Sequence, residues 1–181
     1  MGRVRVVLRA PQSADRAEYL ALNRRSRRFH GGRVTPPTTP PAFAAYLARL
    51  RKPGSVGFLI RRRSDRAILG AVELSQIGLG NFRSAYLGYY IGAPYARQGY
   101  MREALALTLQ YAFTRLGLHR VEANVQPGNT ASLALVNSLG FVREGYSRRY
   151  LKIGGRWRDH ERWALLIEDW RRWKSRVASV T

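Results

Sequence analysis

Three strand-like segments follow one another between residues 56 and 91, and this run constrains the fold more than any other feature. The predicted strands are Val56–Arg62, Ala67–Gln76 and Ser84–Ile91. Each is rich in β-branched and aromatic residues, and turn-forming residues fill the short connections. Consecutive strands joined by short turns predict an antiparallel meander, around which the rest of the chain must pack.

The segment before the meander predicts one strand and two helices. Val4, Val6 and Leu8 alternate with arginines, as in a half-buried strand that ends before Pro11. Helices are predicted at Ser13–Ser26 and Ala42–Arg51, on either side of a proline-punctuated loop.

Helices and strands alternate after the meander. In order, the pattern predicts a helix at Met101–Leu116, a strand at Arg120–Val125, a helix at Thr130–Leu139, strands at Val142–Leu151 and Arg158–Leu166, and a helix at Ile167–Arg176. This order predicts an α+β fold with a mixed, mostly antiparallel sheet of about seven strands flanked by helices. Without an internal repeat or an interdomain linker, we expect one domain over residues 1–181.

Composition excludes several kinds of site. The chain contains no cysteine, which removes a thiol nucleophile, a disulfide framework and any cysteine-ligated metal. The three histidines are scattered and show no ligand spacing, so we expect no metal. Because no apolar run approaches the ~20 residues of a membrane span, we expect no membrane partner and a cytoplasmic location.

The formal net charge of +21 has two interpretations. Almost all of it comes from arginine, whose guanidinium suits phosphate geometry, so a polyanionic partner such as rRNA is one. The other is a genome that favours arginine codons, with ordinary solvated faces. The basic residues are spread along the chain, which does not favour a dedicated binding element.

The stretch Arg97–Met101 predicts an anion site. It leads from a strand directly into a helix, and a helix N-terminus offers unpaired N–H groups to a pyrophosphate. Gly99 lets the backbone approach the ligand, and Arg97 and Arg102 add charge. The alternative is a simple turn, because the loop is neither a Walker A loop nor a three-glycine dinucleotide fingerprint.

Several sequence blocks, in this order, resemble those of one enzyme family. They are AYLGY (85–89) with GYMREA (99–104), HRVEAN (119–124), NTAS (129–132), LGF with EGY (139–146), and YL with GGRWRDH (150–160). Together they resemble the GNAT superfamily of N-acetyltransferases, in particular the ribosomal-protein-alanine N-acetyltransferase (RimJ-like) family.

The resemblance implies a GNAT-type sheet and direct transfer of acetyl from acetyl-CoA to an amine. It implies as acceptor the N-terminal α-amine (Ala or Ser) of a ribosomal protein. From the net charge we expect rRNA contact through the basic surface, and we expect a monomer or weak dimer. The residues that it implies for acetyl-CoA binding are Tyr89, Tyr90, Ile91, Arg97, Gln98, Gly99, Tyr100, Met101, Arg102, Asn124, Asn129 and Ser132. Ala96 and Arg97 depart from the family's usual loop, which puts cofactor affinity in doubt.

The catalytic groups follow the resemblance only in part. Many family members place a tyrosine where this chain has Val136, so Ser132 is the predicted donor to the leaving thiolate, unless it only satisfies backbone groups in the first helical turn. Glu73 is the predicted general base and Glu122 a second candidate. Each carboxylate is equally explained as the ion-pair partner of an arginine.

Two other functions remain open at this point. One is acetylation of a small amine, such as an aminoglycoside-like or nucleoside antibiotic, which an acidic cleft would favour. The other is an RNA- or ribosome-associated module with little catalysis. Fold alone does not choose among them.

Overall fold

The structure, a computed structural model, describes residues 4–179 and contains a seven-stranded sheet. The strands are β1 (Val6–Arg9), β2 (Val56–Arg62), β3 (Ile68–Gly78), β4 (Ser84–Ile91), β5 (Arg120–Val125), β6 (Val142–Ile153) and β7 (Arg156–Leu166). They lie in the order β1-β2-β3-β4-β5-β7-β6, and the β4–β5 pair alone is parallel. The predicted fold class is therefore confirmed. The outermost residues of the predicted single domain lie outside the described range.

Helices cover both faces of the sheet. They are α1 (Arg16–Arg25), α2 (Arg27–His30), α3 (Pro40–Leu50), α4 (Tyr100–Thr114), α5 (Thr130–Ser138) and α6 (Ile167–Ser179), with short 3-10 turns at Ser13–Asp15 and Ala93–Tyr95. None of the helices within residues 4–179 has the length and hydropathy needed to cross a membrane.

Helix α4 supplies the larger core. Ala104, Leu105 and Leu109 are completely buried in a cluster that also includes residues of β3, β4 and β5. Burial of each leucine contributes about 1.5–3 kcal/mol. On the opposite face, Tyr19 of α1 and Phe43 of α3 form a second, smaller cluster. The helix that follows the predicted anion loop is thus fixed rigidly to the sheet.

The predicted helix at Ser13–Ser26 differs from the structure at its start. A 3-10 turn occupies Ser13–Asp15, and α1 runs from Arg16 to Arg25 with Ser26 as its C-cap. The hydroxyl of Ser26 accepts a hydrogen bond from the Ala93 N–H at 3.0 Å. This contact fixes the break between α1 and α2 beside the end of β4.

The last two strands are longer than predicted, because they continue into a tight hairpin. Gly154 and Gly155 have φ angles of +56° and +79°, as a two-residue turn of type I′ requires. Both strands therefore run up to the turn, to Ile153 and from Arg156.

Candidate active site

The site lies where the parallel ladder between β4 and β5 ends. The two strands pair through only three positions, the last of which joins Tyr86 to Glu122. Strand β4 continues to Ile91, so the backbone of its second half has no neighbouring strand on that side. An edge of this kind inside a sheet leaves backbone N–H and C=O groups for a ligand to bind.

Two cavities meet at this opening. The loop-side cavity, of about 460 Å³, is lined by β4, the 96–102 loop and the start of α5. The hairpin-side cavity, of about 690 Å³, is lined by β4, β5 and residues of the β6–β7 hairpin. Five residues line both cavities: Arg33, Val34, Tyr89, Asn129 and Ser132. A reaction between molecules that enter from the two sides would take place beside these shared side chains, of which Tyr89 and Ser132 carry hydroxyls.

The predicted anion loop has the expected backbone geometry. Gly99 is the N-cap of α4 with φ +82°, and the first helical bond runs from the Glu103 N–H to the Gly99 carbonyl at 3.2 Å. The N–H groups before Glu103 in this turn therefore have no partner within the helix. Arg97 also adopts a positive φ, +59°.

Arg5 holds this loop in place, and sequence reasoning missed it. Its guanidinium donates to the Gln98 carbonyl at 2.8 Å and to the Glu103 carboxylate at 2.7 Å, and lies 4.5 Å from the centre of the Tyr100 ring. The arginine-valine alternation of the first strand was visible, but nothing in it indicated a contact with a loop more than 90 residues away.

Most of the predicted acetyl-CoA-binding residues line the loop-side cavity. They are Tyr89, Tyr90, Ile91, Arg97, Gly99, Tyr100, Met101, Arg102, Asn129 and Ser132. The side chain of Gln98 instead turns back and donates to the Pro94 carbonyl at 2.8 Å. Asn124 lines the hairpin-side cavity only, and its buried Oδ1 has no hydrogen-bond partner among the described residues. Asn124 thus lies apart from the other predicted cofactor-binding residues, and its contact with the cofactor stays a prediction.

Ser132 lies on the boundary between the two cavities. Its N–H donates to Oδ1 of Asn129, the N-cap of α5, at 3.3 Å. Its hydroxyl lies 2.6 Å from the Tyr89 hydroxyl. Burial raises the pKa of Tyr89 to about 12, so this phenol is neutral at physiological pH. Val136 is completely buried in the core and leaves no hydroxyl at that position.

Neither predicted carboxylate base faces the opening. Glu73 forms a bidentate ion pair with Arg49 of α3, and Glu122 pairs with Arg120 at 2.8 Å. Neither is among the lining residues of the two cavities. Their positions favour the interpretation as ion-pair partners, and a role for Glu73 as general base stays a prediction without support from its surroundings.

His160 is the titratable ring on the hairpin side. Its Nδ1 donates to the Arg158 carbonyl at 3.0 Å, because a carbonyl can only accept. Burial lowers the pKa of His160, so the ring is neutral and Nε2 carries a lone pair. Nε2 has no hydrogen-bond partner in the described part of the chain. The ring thus offers a proton acceptor to the hairpin-side cavity, which it lines.

The hairpin-side cavity has no acidic wall. Val34, Phe82, Leu151 and Ile153 provide apolar surface, and the cationic side chain is that of Arg33. None of the described residues that line it is aspartate or glutamate. The cavity is therefore unsuited to an acceptor that carries several positive charges.

Comparison with known proteins gives a consistent family. Residues 5–142 match the family described as acetyltransferase (GNAT) domain. The probable N-acetyltransferase YjcK of Bacillus subtilis is 40% identical over 124 residues, which are 68% of this chain and 68% of that protein.

Two further relatives differ in their named acceptors. The ribosomal protein uS5-alanine N-acetyltransferase of Escherichia coli is 41% identical over 106 residues, 59% of this chain, and the match spans only 55% of that enzyme. The spermidine N(1)-acetyltransferase of Vibrio cholerae is 31% identical over 103 residues, 57% of this chain and 59% of its own length.

A solved structure gives the same family at the level of the fold. Mycobacterium smegmatis RimJ in complex with CoA-disulfide superposes with a TM-score of 0.82 and 29% identity, over 91% of this chain and 83% of that chain.

Proposed function

This chain belongs to the acetyltransferase (GNAT) domain family, and from that membership we propose that it acetylates the N-terminal α-amine, of alanine or serine, of a ribosomal protein. The chain is an N-acetyltransferase that uses acetyl-CoA. The proposal concerns the acceptor. The observation that carries it is the acceptor side of the opening, which meets the donor side at Ser132 and has no carboxylate among its described lining residues.

Acetyl-CoA fits the donor side. The N–H groups of the 97–102 turn suit its pyrophosphate, and Gly99 keeps that surface open, since a Cβ there would lie 3.0 Å from the Arg5 guanidinium. The unpaired edge of β4 suits the amide groups of the pantetheine arm. When bound, acetyl-CoA supplies an activated acetyl group, and the sulfur of coenzyme A is the leaving group.

The charge balance supports an acceptor with a single amine. Within the described residues, nine of the eleven acidic side chains form ion pairs with arginine, Glu168 contacts His119, and Asp159 bonds to Tyr146 and the Arg149 N–H. None of these carboxylates lines either cavity, where it could compensate a polyamine or a polycationic drug. An N-terminal amine carries one charge and has a pKa of about 7.7–8.0, so it is readily neutralised, whereas a lysine near 10.4 is not.

The acceptor side also has room for the end of a peptide. Gly88 lies two residues beyond the last ladder pair and lines the hairpin-side cavity, and a Cβ at this position would meet nothing within 4 Å. Small N-terminal residues such as alanine and serine suit an opening with mostly apolar walls. The relative that acts on uS5-alanine supports the same acceptor.

Two side chains support the proton transfers. We propose Ser132 as donor to the leaving sulfur, because its hydroxyl lies where the two cavities meet. We propose His160 as acceptor of the proton that the amine sheds, because its ring is neutral and its Nε2 is free within the described residues.

The net charge of +21 supports approach to rRNA, whose phosphates would hold the enzyme near ribosomal proteins.

Acetylation of a small polyamine is the second candidate, because a spermidine acetyltransferase is among the relatives. The test is release of coenzyme A with three kinds of acceptor: ribosomal peptides that begin with alanine or serine, the same peptides with blocked N-termini, and spermidine. We expect release only with the free peptides. Release with spermidine alone would replace the proposed acceptor.

A further inference from the structure

The hydroxyls of Tyr89 and Ser132 form a bridge across the opening of the sheet. Tyr89 comes from β4 and Ser132 from the first turn of α5, and their oxygens are 2.6 Å apart. Both side chains line both cavities. This hydrogen bond joins β4 to α5 at the place where acetyl-CoA and the amine must meet.

We propose that Tyr89 is a positioning residue for proton donation. Its hydroxyl orients that of Ser132 and passes a proton through it to the departing sulfur. This inference rests on the proposed role of Ser132 and extends it by one residue. The sequence indicated Tyr89 only as a cofactor contact, because tyrosines are common in strands and no motif joins this position to α5.

The donor direction follows from what each hydroxyl can do. A hydroxyl has one proton to donate and two lone pairs to accept with. If the Tyr89 phenol donates to Ser132, the single proton of Ser132 is free to point at a third atom. Tyr89 can hold this direction because burial keeps it protonated, with its pKa raised to about 12.

Ser132 alone would be a poor acid, since loss of its proton leaves an alkoxide. With Tyr89 behind it, the charge passes to a phenolate, which is a weaker base than an alkoxide even though burial raises the pKa of Tyr89. Val136, one turn after Ser132 on α5, is buried and aliphatic and so supplies no phenol. Tyr89 thus brings a phenol to the same reaction from the strand instead of from the helix.

The step balances as follows. The acceptor nitrogen forms its bond to the acetyl carbon while the carbon–sulfur bond breaks and its electron pair goes to sulfur. Ser132 gives its proton to the sulfur and takes the proton of Tyr89. The acceptor nitrogen loses one proton to Nε2 of His160, which releases it to solvent, and the Tyr89 oxygen regains a proton from solvent. Amide and thiol are the products, and both side chains end as they began.

The first experiment is a double-mutant cycle with Tyr89→Phe and Ser132→Ala, measured as kcat and KM with whichever acceptor gives turnover. Tyr89→Phe removes the hydroxyl and keeps the ring. We expect it to lower kcat at least tenfold with both KM values nearly unchanged, and to cause no further loss in the Ser132→Ala background. Tyr111→Phe, on α4 outside both cavities, is the matched control and should turn over normally.

A second measurement needs no acceptor, which separates this inference from the proposed substrate. The thiol pKa of bound coenzyme A is followed by the ultraviolet absorbance of the thiolate. Hydroxyl donation to sulfur lowers that pKa, so Tyr89→Phe should raise it relative to the wild type and to Tyr111→Phe. An unchanged thiol pKa, an unchanged kcat, or losses that multiply in the double variant would each overturn the role of Tyr89.

Discussion

Ser132 and Asn129 show which contacts of a single residue can be predicted from sequence. A spacing of three residues after a helix-capping asparagine puts Ser132 in the first turn of α5, where its N–H bonds to the Asn129 side chain. This much is local, and the sequence predicted it. The partner of its hydroxyl, Tyr89, depends on how β4 packs against α5, which no local pattern specifies. The same holds for Arg5 and for the free Nε2 of His160.

His160→Gln tests the proposed role of His160 as acceptor of the amine proton. Glutamine can still donate to the Arg158 carbonyl but cannot take a proton, so we expect kcat to fall at least tenfold. In the wild type, kcat should decline as pH falls through the pKa of His160, which burial lowers from the ordinary histidine value, because the protonated ring cannot accept. The variant should lack that decline.

His119→Gln is the control for the loss of an imidazole. His119 is exposed, pairs with Glu168 at 3.3 Å and lies outside both cavities. Steady-state rates from pH 5 to 9 provide the comparison. Equal kcat values and identical pH profiles for wild type and His160→Gln would remove His160 from the proton transfer.

Individual elements were predicted best where periodicity and boundary residues agree. The bounds of β2, β4 and β5 are those expected from the pattern. The end of α1 at Ser26 was expected, but the short helix α2 after it was missed, since the turn between them is held by a hydrogen bond from Ala93, which is distant in sequence. The hairpin was missed because Gly154 and Gly155 contributed only to the family resemblance, although two adjacent glycines also predict a type I′ turn.

The opening itself could not be predicted from the individual strands. Parallel pairing of β4 and β5 places α4 as the crossover between them, and the ladder ends after three positions. That end point depends on the twist and packing of the whole sheet. The loop that leads into α4, in contrast, was predicted from its glycine and the helix start.

Gly99→Val tests the anion loop as an element. Valine at φ +82° is strained by about 1 kcal/mol or more, and its Cβ would approach the Arg5 guanidinium. We expect the dissociation constant for coenzyme A, measured by calorimetry, to rise at least tenfold.

Gly117→Val is the matched control for strain. Gly117 also has a positive φ, +63°, and a Cβ there meets nothing within 4 Å. It should lower the melting temperature in the same way while leaving the dissociation constant unchanged. If the two variants bound coenzyme A equally well, the phosphate site would have to lie elsewhere.

Across the whole molecule, charge and architecture act at different levels. The sheet and its two helical layers form the loop-side and hairpin-side cavities, and contacts of ten of the eleven acidic side chains with basic residues leave the remaining surface strongly positive. Such a surface favours approach to polyanions and disfavours polycationic acceptors. The sequence predicted a positive net charge, but only the structure shows that no aspartate or glutamate is among the described residues that line the hairpin-side cavity.

The most direct test of the account is the position of the transferred acetyl group. A ribosomal peptide with a free N-terminal alanine and an internal lysine would be incubated with the enzyme and acetyl-CoA, and the modified atom located by tandem mass spectrometry. The account predicts one acetyl group, on the N-terminal nitrogen. Acetyl on the lysine side chain would contradict it. So would a peptide that stays unmodified while the same enzyme consumes acetyl-CoA when given spermidine.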